Sequence, residues 1–149
     1  MLAIEAPNEF DGSGPSLFLA GGVTGCPDWQ TRLVDLLPEL GVTALNPRRR
    51  RFDVADDSAT VEQIEWEFRH LRRASAIAFW FPAESICPIA LFELGAWCER
   101  ATPLFVGADA RYVRRRDVIE QLRLARSGMP VVATLDELAA SIDAHFRER

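Results

Sequence analysis

Short apolar runs alternate with amphipathic stretches along most of the chain. The strand-like runs are residues 17–20, 42–45, 76–81, 104–106 and 131–133, and most of the segments between them have the apolar spacing of helices. The run at 76–81 is apolar throughout, which predicts a central strand covered on both faces. The alternation predicts one α/β domain, residues 16–149, in which a five-stranded parallel sheet has helices on both faces.

The segments between the strands carry recognisable start and stop signals. We expect helices from Pro27 or Asp28 onward, at about 60–74, at 88–99, at 117–125 and at 136–146. Thr60 and Gln63 have the spacing of a capping box, and Ile64, Phe68 and Leu71 form the predicted buried stripe of that helix. Residues 1–15, which contain two Gly and two Pro, are predicted to be a flexible arm.

Ligands of parallel α/β sheets bind at the carboxyl ends of the strands. Three loops of this chain begin at the carboxyl ends of predicted strands: 21–27, 46–57 and 82–87. The glycine-rich turn 21–25 offers backbone N–H groups to an anion or a sugar hydroxyl, or is a plain chain reversal. The loop 46–57 is unusually long and is a candidate substrate lid. Its Arg run, 48–51, either clamps a phosphate or lies solvated beside Asp side chains.

Glu93 is the least expected side chain in its neighbourhood. It lies within the almost wholly apolar residues 89–97, where a carboxylate either reaches a polar cleft or lies on a solvent-facing stripe. Gly95, two residues later, suggests that something approaches the helix closely. On the preceding helix Gln63 and Glu67 are one turn apart, so both could line the same cleft; the alternative is a capping Gln63 and a solvated Glu67.

Composition narrows the possible chemistry. Hydrophobic residues make up 48% of the 149 and charged residues 26%, as in a globular protein. All 17 basic residues are Arg, which excludes Lys-dependent catalysis, and a net charge of -5 makes nucleic-acid binding unlikely. The three Cys and two His lack metal-ligand spacing, so we expect no metal, no cofactor and no disulfide. No segment has the pattern of a membrane span or a leader, which predicts a cytoplasmic protein.

Five segments in this order resemble the nucleoside 2-deoxyribosyltransferase-like family. They are residues 17–25, 46–49, 63–67, 79–82 and 87–95, the last of which ends in Glu93-Leu94-Gly95. The resemblance implies a flavodoxin-like sheet and a nucleophilic Glu93 that attacks the anomeric carbon of a nucleoside or nucleotide. The base then leaves, and a second base or water takes the sugar from the covalent intermediate.

The resemblance also implies roles for other positions. Glu67 lies near the nucleophile, and a Trp80 or Phe81 ring stacks on the base. The turn holds the 5′ side of the sugar. The proposed substrate-binding set is Gly21, Gly22, Val23, Thr24, Asn46, Arg48, Gln63, Ser75, Phe81 and Cys87. Family members form oligomers in which neighbours complete each site, so we expect a homo-oligomer with Tyr112 and Arg114 to Arg116 as candidate contacts.

Two positions depart from the family pattern. Ser75 stands where members usually have Asp, and Cys87 stands where they have an acidic residue or Ser. A thiol cannot replace a carboxylic acid as proton donor, so the group that protonates the leaving base is unassigned, with Glu84 as one candidate. The leading hypothesis is an N-glycosidic transferase or hydrolase. The alternatives are a non-catalytic nucleotide or nucleotide-sugar binding module, and an interaction protein that uses its Arg runs on an acidic partner.

Overall fold

The computed structural model describes residues 1–49 and 57–148. In chain order the elements are β1 (Leu2–Glu5), β2 (Ser16–Gly21), α1 (Trp29–Leu36), β3 (Thr43–Asn46), α2 (Asp57–Arg73), β4 (Ala76–Phe81), α3 (Pro88–Trp97), β5 (Leu104–Ala108), α4 (Arg115–Ala125), β6 (Val131–Val132) and α5 (Leu135–Arg147). Within these residues no helix combines the length and apolarity needed to cross a bilayer. The cytoplasmic location stays a prediction.

The described strands form one parallel sheet in the order β1-β3-β2-β4-β5-β6. The α/β class and the parallel pairing are therefore confirmed, and they agree broadly with a flavodoxin-like fold. The predicted number of strands is wrong, because the sheet has six strands instead of five. β4 is central and buried at every position, as its apolar sequence predicted.

The additional strand lies in the segment that we expected to be a flexible arm. β1 pairs with β3 along its whole length. The arm continues across α2, where the indole Nε1 of Trp66 donates to the Asn8 carbonyl at 2.8 Å. The backbone N–H of Phe10 donates to Nε2 of His70 at 3.1 Å, and the Phe10 ring is buried. The apolar run before Glu5 is short and is followed by two Pro and two Gly within residues 7–15, so the pattern favoured an irregular segment over a strand.

Helices cover both faces of the sheet, as predicted. Alternate side chains of β2 point to opposite faces, so Phe18 packs under α2 and α3 while Leu17 and Leu19 pack under α1 and α5. The first face is filled mainly by aromatic and aliphatic side chains: Phe79, Phe81, Trp66, Leu94, Trp97, Val118 and Leu122. The second is filled by Trp29, Leu33, Ala78, Leu138 and Ile142.

The predicted buried stripe of α2 is mostly wrong. Leu71 is buried, but Ile64 and Phe68 are 60% and 56% exposed. Trp66 and His70 face the sheet instead, with their rings stacked 3.9 Å apart between centroids. α2 has apolar residues on two faces, so helical periodicity alone cannot show which face meets the sheet. Thr60 is not the cap either, because α2 begins at Asp57.

Candidate active site

The loops that follow β2, β3 and β4 meet at the carboxyl edge of the sheet. Arg48, after β3, donates from Nη2 to the carbonyl oxygens of Cys26 and Pro27 at 3.3 and 3.0 Å. Its Nε donates to Oε1 of Gln30, which is fully buried, at 2.9 Å. These bonds fasten the β3 loop to the turn after β2 and to the start of α1. The predicted lid extends from this loop into residues 50–56, which lie outside the described residues.

Glu93 and Glu67 form an acid pair on neighbouring helices at this edge. Both side chains are half-buried. Burial raises the pKa of Glu93 to about 8, and the negative charge of Glu67 adds to the effect. The pKa of Glu67 is also raised, chiefly by burial. Burial therefore disfavours the charged form of both carboxyls, and the charge of Glu67 further opposes the ionisation of Glu93.

Gln63 and Arg49 moderate the pKa of Glu67. Nε2 of Gln63 donates to Oε1 of Glu67 at 2.7 Å and also to the Pro47 carbonyl at 2.7 Å. Oε1 of Gln63 accepts from Nε of Arg49, whose guanidinium is almost fully buried. The amide hydrogen bond and the Arg charge both favour ionised Glu67 and so oppose the effect of burial. Gln63 and Glu67 therefore share one polar network, and that both line one cleft stays a prediction.

Close packing explains why the turn after β2 begins with two glycines. A Cβ on Gly21 would lie 2.2 Å from the Trp80 carbonyl oxygen and 2.6 Å from the Trp29 ring. A Cβ on Gly22 would lie 2.7 and 2.9 Å from the sulfur atoms of Cys26 and Cys87. The Gly22 carbonyl accepts from the Trp29 indole at 2.8 Å. Contacts within the protein therefore account for both glycines.

The remaining candidates of the first two loops differ in accessibility. Val23 is half-buried and Thr24 is exposed. Asn46 is buried, and its Oδ1 accepts from the backbone N–H of Arg48 at 3.0 Å, which shapes the loop after β3. The guanidinium of Arg48 is bound to its own chain, so the structure gives it a loop-bridging role.

Cys87 caps the helix that carries Glu93. It is buried and has a left-handed backbone conformation, with φ at 52°, at the residue before α3. Burial raises the pKa of its thiol to about 11. Tyr112 supports this loop from the far side, because its hydroxyl donates to the Ile86 carbonyl at 2.6 Å. A neutral thiol here is not an acid of useful strength near pH 7.

Two predicted substrate-binding residues do not lie with the others. Ser75 precedes β4 at the amino edge of the sheet, where its Oγ accepts from the Ser16 backbone N–H at 3.1 Å. Its replacement of the family Asp therefore does not affect the described acid pair directly. Phe81 is fully buried and packs on Tyr112, with centroids 5.2 Å apart, so its ring cannot stack on a base. Phe81 belongs to β4, the strand whose apolar sequence predicted burial on both faces, and its burial agrees with that prediction.

Sequence reasoning missed two supporting side chains and misjudged one glycine. Gln30 and Arg49 hold the site together from inside, but a helix Gln and one Arg within a run of four carry no distinctive signal. Among the described residues nothing lies within 4 Å of where a Cβ of Gly95 would be, so the expected close approach is not present there. The part of the chain that the structure describes holds no group of three or more potential metal ligands.

One well-defined cavity lies away from the acid pair. It has a volume of about 350 Å³ and lies beside β5 and β6, where Leu104, Met129, Pro130 and Leu138 contribute to its wall. None of the predicted site residues lines it. The electrostatic coupling of two acids, and not cavity size, therefore locates the candidate site.

A parallel α/β sheet with a coupled acid pair at its carboxyl edge is an arrangement suited to a small-molecule enzyme or binding protein. Residues 14–112 match the family model described as nucleoside 2-deoxyribosyltransferase like. The chain belongs to this family, as its sequence motifs predicted. A comparison with curated proteins gives no match.

Proposed function

We propose that the protein cleaves the N-glycosidic bond of a nucleoside or nucleotide through a covalent intermediate on Glu93. The observation that carries the proposal is the coupled pair of Glu93 and Glu67 beside the loops of the carboxyl edge. Such a pair holds one proton and one negative charge. The reaction needs both, because a carboxylate must bond to C1′ and the departing base must gain a proton.

In this proposal the pair supplies the proton for the leaving base, for which the sequence offered no assigned donor. In the unliganded site the amide of Gln63 and the charge of Arg49 favour ionised Glu67, so the proton resides mainly on Glu93. When substrate binds, that proton passes to Glu67 and from there to the base as the C1′–N bond breaks. Glu93, now ionised, bonds to C1′. Water or a second base then displaces the carboxylate, which corresponds to hydrolysis or transfer.

Trapping of the intermediate tests the proposal directly. The protein is incubated with 2′-deoxynucleosides, their 5′-monophosphates and a 2-fluoro arabinosyl analogue, and intact mass and free base are measured together. We expect a sugar-sized adduct on Glu93 and release of base, with E93Q giving neither. E99Q, which changes an exposed Glu near the end of the same helix, is the matched control and should behave as wild type. Base release without dependence on Glu93 would contradict the mechanism.

The alternative is a nucleotide or nucleotide-sugar binding module that lacks turnover. Cys87 favours it, because a buried thiol occupies a position where family members have an acid or Ser. Ser75 no longer supports it, since that residue lies at the opposite edge of the sheet. The two functions differ in the behaviour of E93A. For an enzyme this variant abolishes turnover and keeps ligand affinity within a few fold, whereas a binding module shows no turnover in the wild type.

The predicted homo-oligomer also has a second candidate surface. Of the expected contact residues, Tyr112 is buried and Arg115 donates to the Ala108 carbonyl at 3.1 Å, while Arg114 and Arg116 are exposed. Large apolar side chains lie exposed on α2 and near α3. Each of them is more than half exposed: Val61, Ile64, Phe68, Ile86, Ile89 and Phe92. A patch of this kind marks an interaction site.

We propose that a second copy of the chain covers the α2 part of this patch. The exposed stripe of α2 is flanked by Glu62 and Glu65 in its first half and by Arg69, Arg72 and Arg73 in its second. When two copies of α2 pack antiparallel about a two-fold axis, acidic halves face basic halves, so the surface complements itself. A groove of about 490 Å³ beside Ile64 and Phe68 provides space for side chains of the second copy.

Sedimentation velocity tests this assembly. Wild type should sediment as a dimer or larger species, and F68E should sediment as a monomer with an unchanged circular dichroism spectrum. L124E is the matched control, because Leu124 is also a large exposed apolar residue but lies on α4. A monomeric wild type, or equal dissociation by L124E, would show that α2 is not the interface.

A further inference from the structure

Two cysteines of the site lie beside the same glycine, Gly22. Cys26 ends the turn after β2, and Cys87 caps α3, which follows β4. Their sulfur atoms lie 2.7 and 2.9 Å from one point, the position that a Cβ of Gly22 would occupy. Each thiol is also among the groups that shift the pKa of the other. The absence of a side chain at Gly22 therefore creates the space in which they meet.

The surroundings of this pair keep both thiols in place. The Cys26 thiol donates to the Thr24 carbonyl at 3.5 Å, and the Cys87 thiol donates to the Ser85 carbonyl at 3.4 Å. Ser85 Oγ also accepts from the Cys87 backbone N–H at 3.2 Å. Cys26 is half-buried and Cys87 is buried, so the first is the more accessible sulfur. Both cysteines are free in this structure.

We propose that Cys26 and Cys87 are a redox modification site, at which peroxide forms a reversible disulfide between the β2 turn and the start of α3. This goes beyond the proposed glycosidic activity, which uses neither thiol as a redox group. The disulfide joins two of the three loops at the carboxyl edge and fixes the cap of the helix that carries Glu93. Oxidation therefore acts on the site without reaching the acid pair itself.

The chemistry balances with one equivalent of hydrogen peroxide. The Cys26 thiolate attacks one peroxide oxygen, so that an S–O bond forms, the O–O bond breaks and the departing hydroxide takes a proton to become water. Cys87, as thiolate, then attacks the Cys26 sulfur, and the S–O bond breaks with release of a second water as the S–S bond forms. Two electrons pass from the sulfur pair to peroxide. A dithiol such as dithiothreitol returns both cysteines to thiols.

Burial sets the conditions under which the pair reacts. It is the main cause that raises the pKa of both thiols above their ordinary value. Since the thiolate is the reactive form, oxidation should be slow at pH 7 and about tenfold faster at pH 8. Glu84 and Arg48 are the charged groups whose fields act on Cys26, with opposite effects on its pKa.

Peptide mapping after peroxide treatment tests the proposal. The full-length protein is oxidised, alkylated without reduction and digested, and the mass of each cysteine peptide is measured. We expect a Cys26–Cys87 crosslink in wild type and in C98S, and none in C26S or C87S. Cys98 is the matched control because it lies at the other end of α3, where its thiol donates to the Gly95 carbonyl at 3.3 Å.

A second measurement separates this proposal from the proposed function. Nucleotide affinity and base release are measured for C98S before oxidation, after it and after reduction, and we expect a reversible loss of either or both. Formation of the crosslink does not depend on turnover, so it can succeed if the enzyme activity is absent. The proposal would be overturned if Cys26 formed a sulfenic acid but no disulfide, or if disulfides formed only between separate chains. It would also be overturned if the Cys26–Cys87 disulfide left binding and turnover unchanged.

Discussion

The negative charge of Glu67 raises the pKa of Glu93, although the two residues are 26 positions apart on different helices. α2 and α3 flank the same end of the sheet, so the fold brings together two carboxyl groups that the sequence separates. Burial is the larger cause of the raised pKa of Glu93, and the charge of Glu67 is the second.

The rate of base release should have a bell-shaped pH dependence. Activity needs the pair with a single proton, so it falls at low pH when both acids are protonated and at high pH when both are ionised. We expect the alkaline limb near pH 8, the pKa of Glu93. Initial rates across pH 4–10 at saturating and low substrate would show it. A rate that rises continuously through pH 9 would contradict the shared proton.

E67Q should remove this alkaline limb and lower the pKa of Glu93, so that the residual rate rises with pH as Glu93 ionises. Removal of the charge on residue 67 takes away one cause of the raised pKa of Glu93, so Glu93 ionises more readily. The variant also loses the proton relay, and we expect turnover to fall about a hundredfold or more. E65Q, an exposed Glu two residues away, is the control. An unchanged limb in E67Q would show that the two carboxyls do not interact in solution.

Q63L should raise the pKa of Glu67 further. The amide of Gln63 donates to the Glu67 carboxylate, and its loss removes a group that favours the charged form. The acidic limb of the pH profile should therefore move to higher pH, while the alkaline limb changes less. Q121L, an exposed Gln on α4, provides the comparison. If Q63L and wild type had the same pH profile, Gln63 would not influence the ionisation of Glu67.

E93Q should stabilise the fold, and the gain should grow with pH. The folded pKa of Glu93 is about 8, above the value of 4.5 expected in the unfolded chain. The raised pKa contributes fully to the free energy of unfolding below pH 4.5. This contribution is lost as the pH rises to 8, because unfolding then releases a proton. Gln cannot ionise, so the difference in Tm should widen between pH 5 and 8. The difference in unfolding free energy should reach a few kcal/mol, roughly 1.4 per unit of pKa shift. A pH-independent difference would mean that Glu93 ionises normally.

The strands and the candidate nucleophile, Glu93, were the parts most accessible to sequence reasoning. β4 is apolar at every position, and Glu93 contrasts with the apolar residues around it, so each carries its own signal. The orientation of α2 had no such signal, since Trp66 and Phe68 are both aromatic and only tertiary packing decides which faces the sheet. Ser75 was placed in the site by family pattern alone, and the topology puts it at the other edge.

The site network was the least predictable part. Gln30, Arg48 and Arg49 act through hydrogen bonds between loops that are distant in sequence. A polar side chain on a helix or in an Arg run looks solvated until its partners are known. The acid pair could be suspected from two carboxylates, but its shared proton depends on burial and on the distance between helices, which a sequence does not contain.

The pairing of β1 with β3 has a practical consequence for work with shorter forms of the protein. A fragment limited to the family-matched residues 14–112 would lack β1, α4, β6 and α5. Its β3 would become an unprotected sheet edge, a common starting point for aggregation. It would also lose the contacts of Asn8 and Phe10 with α2, the helix that carries Glu67. The region that identifies the family is therefore smaller than the unit that must fold to hold its acid pair.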